Sequence, residues 1–320
     1  MEILQILSND ILPLLIFIVI GYLIDMKFKL DLNTYNRLTI FVILPSFIFY
    51  SIYEFTPAAS TGILVACAAA ILIVQGLLAG GLARLFHLKG APKEIYRTAS
   101  AMSNAGNVGL VLIVFIFSHP PFVFGEDMPY LAEARSAIIA LIIFMNIVAN
   151  TFGMSLIGHR HGSVKNFFST LLSMPAIYAV IAAVLVKETG YDVTGLFIWP
   201  VLEHFSGALI VFVTITVGIQ LHRSRLVKPS AMTLSAVANK LILGPLLAWA
   251  AILLWGGFSP VESQVLFIYA AVPSSMTVIL YAVEYRNHPG LATQIVMESM
   301  IAGLFTMTGA IYLARILFPL

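Results

Sequence analysis

"SNAGNVGLV", Ser103 to Val111, lies inside a run from about Ile95 to Phe117 that is otherwise apolar enough to cross a bilayer. Its first seven residues hold two Asn, one Ser and two Gly, all poor helix formers. A helix in lipid must satisfy its backbone polar groups internally, so freed peptide groups persist at that depth only where protein buries them or a water-filled cavity wets them. The stretch predicts a broken helix beside a cavity, or else a seam where small residues let two helices pack closely.

The surroundings decide the class. The chain has 320 residues, 60% hydrophobic and only 10% charged, against about 25% charged in a soluble domain. A bilayer core of about 30 Å takes about 20 apolar residues per helix. Ten such stretches follow one another, approximately at 11 to 27, 35 to 53, 60 to 86, 93 to 117, 134 to 157, 169 to 187, 197 to 220, 230 to 255, 262 to 285 and 290 to 317. The expected fold is all-α and polytopic, with ten transmembrane helices and little left for a soluble domain. The net charge of +2, spread over many loops, argues against nucleic acid as a partner. Cys67 is the single cysteine, which excludes a disulfide framework or a cysteine metal cluster. Glu2 and Asp10 stand where a signal peptide carries basic residues, so residues 11 to 26 read as a retained first helix.

Loop charge sets the orientation. The odd connections hold Lys27, Lys29, Arg37, Arg84, Lys89, Lys93, Arg97, Arg160, Lys165, Arg223, Arg225, Lys228 and Arg286, while the even ones and the carboxyl end hold only Arg135, Lys187 and Arg315. Thirteen basic residues against three put the odd loops in the cytoplasm and both termini outside, in a cytoplasmic (cell inner) membrane.

Ten helices divide into two sets of five, at 1–160 and 161–320, and an odd number per set makes the second set inverted. The fourth helix is interrupted near Asn104 to Gly109, and the ninth, about 167 residues later, carries "AVPSSM", Ala271 to Met276. Matching interruptions in two halves are the best sequence pointer to a transporter's binding site. About 11 residues precede each break, roughly 16 Å of helix, so both breaks fall near the bilayer midplane. Pro273 removes a backbone donor and clashes with the carbonyl four residues back; Gly106 and Gly109 each cost about 1 kcal/mol relative to Ala. Ser103, Asn104, Asn107, Ser274 and Ser275 supply polar partners at the predicted crossing. The half-helix amino termini there present free N–H groups and positive dipole ends, which suit a carboxylate or other small anion.

"SNAGNVGL" resembles the fourth-helix motif of the auxin efflux carrier family, in its bacterial form. "LTIFVILPSFIFYSI", Leu38 to Ile52, is similar to that family's second helix with its Leu-Pro pair, here Leu44 and Pro45. "VPSSMTVILYAVEYRNHPGLA", Val272 to Ala292, resembles its ninth helix and the exit matched by Ala282, Glu284 and Tyr285. The resemblance covers essentially the whole chain. It implies a five-plus-five inverted repeat, shared more distantly with bile acid sodium symporters, with crossed discontinuous helices 4 and 9. It also implies a scaffold of helices 1, 2, 6 and 7, and a transport domain of helices 3 to 5 and 8 to 10 that moves against the scaffold in an elevator-like way. Family members move organic anions, and the plant carriers pair through their scaffolds, which implies a homodimer. Asn104, Gly109 and Pro273 fall on motif positions. Val111 departs from the motif, which has Pro there, and the long cytoplasmic loop of the plant carriers is absent.

Other polar groups lie at membrane depth. Glu298, about eight residues into the tenth helix, and Lys240, about ten into the eighth, are coupling-ion candidates by default. Their similar depths allow an ion pair, although Lys240 has a stem long enough to snorkel. Gln75 offers an oxygen to a cation site. Asn146 and Asn150 share a face of the fifth helix, as substrate contacts or interhelical glue. Glu203 and His204 read as interfacial, and "HRHG", His159 to Gly162, as a cytoplasmic turn with no metal role. The function expected is secondary active transport, or uniport, of a small organic anion such as a carboxylate. It needs no catalytic residue and no cofactor beyond a possible coupling proton or sodium ion. A cation/proton antiporter and an anion channel of the same architecture are the alternatives. The antiporter is disfavoured because all five Asp fall at helix ends or in loops. No nucleotide-binding loop, metalloprotease His-Glu pair or paired membrane aspartates appear, which speaks against a pump or an intramembrane protease.

Overall fold

The computed structural model describes residues 2–54, 58–158, 172, 175–224 and 228–320. The described residues are helical apart from turns and two isolated bridges, and hold seven continuous helices long and apolar enough to cross a membrane. In chain order these are α1 (Ile3–Phe28), α2 (Leu32–Glu54), α3 (Thr61–Leu85), α5 (Leu131–Gly158), α7 (Trp199–Arg223), α8 (Ala231–Trp255) and α10 (Pro289–Leu317). Between them lie the shorter α6 (Pro175–Glu188) and two helices in halves: α4a (Ala91–Ala101) with α4b (Ala105–Phe117), and α9a (Pro260–Ala271) with α9b (Thr277–Glu284). The start of the predicted sixth span and the His159 to Gly162 turn fall outside the described residues. The amino-terminal span begins at Ile3, earlier than position 11, and takes in Asp10.

Five helices widen by one residue per turn, at Leu7–Ile11, Thr39–Ile43, Ala105–Gly109, Ala149–Gly153 and Asn239–Leu243. The first, second and fifth each end two residues before a proline: Pro13, Pro45 and Pro245. Proline lacks the N–H and collides with the carbonyl four residues back, and a wide turn lets the helix absorb that collision without stopping. Pro45 thus sits in a continuous α2. The turn at Ala105–Gly109 has the same offset from Val111, with no proline behind it.

Packing falls into two neighbourhoods. α1 lies along α7, and α2 packs on α6 and α7. α3 lies against α4a and α8, α4b against α5, and α9a against α8, α5 and α10. The neighbourhoods meet where α7 lies against the wide turn of α4 and where α2 touches α5. Asp10 and Asp25, expected at helix ends or in loops, are 0% and 1% exposed. Arg315 donates to Asp10 at 2.9 Å, fastening α10 to α1. The Asp25 carboxylate accepts from His222 Nδ1 at 2.8 Å, from Arg223 Nε and Nη2 at 3.0 and 2.6 Å, and from the Leu30 N–H at 3.0 Å, which clamps the end of α7 to α1.

Candidate functional site

The two interruptions meet. Met102 leaves α4a with extended backbone (φ −77°, ψ 127°), and Val272 leaves α9a the same way (φ −68°, ψ 153°). For Val272 the cause is local, since a residue before proline is pushed out of the helical region. Extended segments expose N–H and C=O groups sideways, and these pair antiparallel with Ser103 opposite Ser274. The Asn104 N–H donates to the Pro273 carbonyl at 2.8 Å, and the Ser275 N–H to the Met102 carbonyl at 2.8 Å. Beyond the pair, the Asn104 carbonyl accepts from the Val108 and Gly109 N–H groups at 3.2 and 3.0 Å, closing the first wide turn of α4b. The Ser274 N–H donates to Ser299 Oγ on α10 at 3.0 Å. The Thr277 N–H at the start of α9b donates to Ser275 Oγ at 3.3 Å. These peptide groups at the breaks are thus met by protein, as membrane depth requires.

α10 can press this close because position 303 is glycine. A Cβ there would stand 2.6 Å from Pro273 Cγ.

A cavity of about 80 Å³ opens on one side of the pair. It is bounded by the starts of α4b and α9b and by the middle of α5. Ser103, Asn104, Gly106, Asn107, Asn146 and Ser275 line it, all candidates from the sequence. So do Ala105, Ile142, Met145, Ala149, Met276 and Thr277, which sequence reasoning missed because apolar side chains at membrane depth carry no distinguishing signal. Thr277 had one: it is the first residue of a half-helix after a proline break. Four other candidates stand back from the cavity. Gly109 packs toward Val272, and Pro273 toward α10. Ser274 is 0% exposed and paired through its backbone. Asn150 donates to the Asn146 carbonyl at 2.8 Å and accepts from the Tyr281 hydroxyl at 2.6 Å, tying α5 to α9b.

No charged side chain lines the cavity among the described residues. What it offers an occupant is hydroxyls, carboxamides and the amino ends of two half-helices. At α9b the Thr277, Val278 and Ile279 N–H groups are taken by Ser275 Oγ and by the Ser275 and Met276 carbonyls, so that end offers the partial positive charge of the helix dipole. An uncharged wall with positive helix ends suits a small anion better than a cation.

The coupling-ion candidates lie elsewhere. Glu298 is half-buried and accepts from Gln294 at 2.9 Å. Lys240 neither snorkels nor pairs with Glu298: it is 0% exposed and donates to the Ala270 carbonyl at 2.8 Å. Gln75 is 1% exposed and uses its amide as a donor, to the Asn239 carbonyl at 2.7 Å. Among the described residues, no three His, Cys, Asp or Glu side chains are grouped to hold a metal.

The chain is 23% identical over 308 residues to a protein of Methanothermobacter thermautotrophicus named uncharacterized transporter. The likeness covers 94% of this chain and 96% of that one. No family model matches the chain. Together with the long apolar helices, the relative supports an integral membrane protein of the transporter kind.

Proposed function

We propose that this protein is a secondary carrier of a small organic anion, of the carboxylate class, which binds in the cavity where the two broken helices pair. The observation that carries the reading is the cavity itself: an uncharged, hydroxyl- and amide-bearing space walled by the amino ends of α4b and α9b. Ser103, Asn104, Asn107, Asn146 and Ser275 are the polar contacts, with Gly106 keeping the backbone open to the ligand. Transport needs no bond made or broken, only exposure of this space to each side in turn.

The wider architecture of the proposal is ten crossings in two inverted sets, both termini outside, in a bacterial cytoplasmic membrane. The packing of α1, α2, α6 and α7 on one another supports a scaffold against which α3 to α5 and α8 to α10 slide, with pairing of two copies through that scaffold. The resemblance of the second, fourth and ninth helices to auxin efflux carriers supports the same class of cargo. A cation/proton antiporter is the weaker reading, because no carboxylate lines the cavity among the described residues.

Proteoliposome counterflow with a panel of labelled mono- and dicarboxylates tests the proposal. At least one acid should exchange saturably, and Asn104→Ala or Pro273→Ala should abolish its exchange while the protein still purifies folded. Unsaturable flux would indicate a channel. Unimpaired exchange in both variants would remove the cavity from the mechanism.

A further inference from the structure

The Lys240 amine is fully buried, and no acidic side chain bonds to it among the described residues. Of the carboxylates on the helices around it, Glu94 bonds Arg97 and Glu262 bonds Ser60 and Ser259, while Glu298 accepts from Gln294 through Oε1 and keeps Oε2 buried with no partner among the described residues. An ammonium at membrane depth is costly, so its surroundings should show what offsets it.

They do. Lys240 donates at 2.8 Å to the carbonyl of Ala270, the next-to-last residue of α9a. Its neighbour Asn239 donates at 3.0 Å to the carbonyl of Ser100, the next-to-last residue of α4a. Adjacent residues of α8 therefore cap the carboxyl ends of both half-helices. The wide turn at Asn239–Leu243 presents the two side chains together, and Gly244 lets α8 approach, since a Cβ there would stand 2.5 Å from the Ala270 oxygen. Gln75 completes a neutral cage by donating to the Asn239 carbonyl, while Asn239 Oδ1 is buried with no partner among the described residues.

The charges balance. Each carboxyl end carries about half a negative charge from the helix dipole, so two of them are matched by one ammonium. Uncompensated, they would cancel the positive amino ends that face the cavity and weaken its hold on an anion. Carbonyls at half-helix carboxyl ends are also where transporters of this build hold a coupling sodium ion. We propose that Lys240 is the resident cation of the crossover: its ammonium occupies the place of a coupling sodium ion and keeps the neighbouring cavity attractive to anions, so the carrier works without sodium. The second half of this rests on the anion-carrier reading; the first does not.

The test measures thermal unfolding of the purified protein in choline, sodium, potassium and lithium chloride at equal ionic strength. Wild type should unfold at the same temperature in all four. Lys240→Ala should unfold lower in choline and recover saturably with an alkali cation small enough to fill the space the ammonium left. Lys240→Gln, which keeps a donor to Ala270 without the charge, should fold in all four salts. Stabilisation of wild type by sodium, a Lys240→Ala midpoint indifferent to the cation, or failure of both variants to fold in every salt would each overturn the proposal. For any carboxylate that wild type exchanges, flux should be equal in sodium and choline, and Lys240→Gln should raise KM about tenfold or more, the effect of losing one nearby charge. If wild type exchanges no carboxylate, the anion reading fails while the unfolding result still decides the resident cation.

Discussion

Alanine at position 303 measures how tightly the crossover is held. A Cβ at Gly303 would lie 2.6 Å from Pro273 Cγ, 3.5 Å from Cδ and 3.7 Å from Cβ. Carbons rest about 3.5–4.0 Å apart, so the proline ring would have to retreat by about 1 Å. It is not free to do so. The Pro273 carbonyl holds the Asn104 N–H at 2.8 Å, and the Ser274 N–H is held by Ser299 on α10 at 3.0 Å. A retreat of about 1 Å would stretch the first of these past the useful range of about 3.2 Å. Overpacking of this kind costs about 1–3 kcal/mol, against roughly 1 kcal/mol gained by replacing glycine within a helix. Gly309, on the same helix, has nothing within 4 Å of a built Cβ, so Gly309→Ala carries the gain alone. The two variants should therefore differ by about 1–3 kcal/mol, the overpacking term itself, with Gly303→Ala unfolding at the lower temperature and losing transport. Equal unfolding temperatures for the two would show that α10 does not press on Pro273.

Two further outcomes are expected. In a Cys67→Ala background, Ser103→Cys with Ser274→Cys should cross-link on mild oxidation, because directly opposed residues of a pair that do not bond each other lie about 4.5 Å apart at Cα, within disulfide reach; a thiol titration that still finds two free cysteines would contradict the pairing. Asp25→Asn should lower stability by about 1–3 kcal/mol, less than the 3–5 of a fully buried pair, because Arg223 is 41% exposed. Thermal unfolding reads it, and an unchanged midpoint would show that the α1–α7 clamp is dispensable.

How much of this was legible follows from chemistry that sequence does and does not carry. Asn104 and Pro273 announced the breaks, since proline and clustered poor helix formers have few other uses at the middle of an apolar run. The partners of the freed peptides were partly hidden: Ser299 looks like any small residue of a membrane helix until α10 is placed beside Pro273. The wide turns were readable in hindsight from Pro13, Pro45 and Pro245, but those at Ala105–Gly109 and Ala149–Gly153 have no proline behind them. Lys240 shows the limit most clearly. Depth alone suggested a pair with Glu298, whereas the rotation of α8 and its wide turn direct the ammonium to a carbonyl on α9a. Asp10 and Asp25 were placed at helix ends or in loops, and their burial depends on which helices close over them.

The claim on which the rest depends is that the cavity beside the paired interruptions holds the transported anion. Thr277→Cys in a Cys67→Ala background places one thiol in its wall at a half-buried position and leaves the backbone contact to Ser275 intact. The rate at which a small maleimide alkylates that thiol is the direct measurement. A mono- or dicarboxylate should slow it saturably, and alkylammonium salts of similar size should not. Alkylation that no carboxylate slows, or that ammonium ions slow equally, would contradict the account.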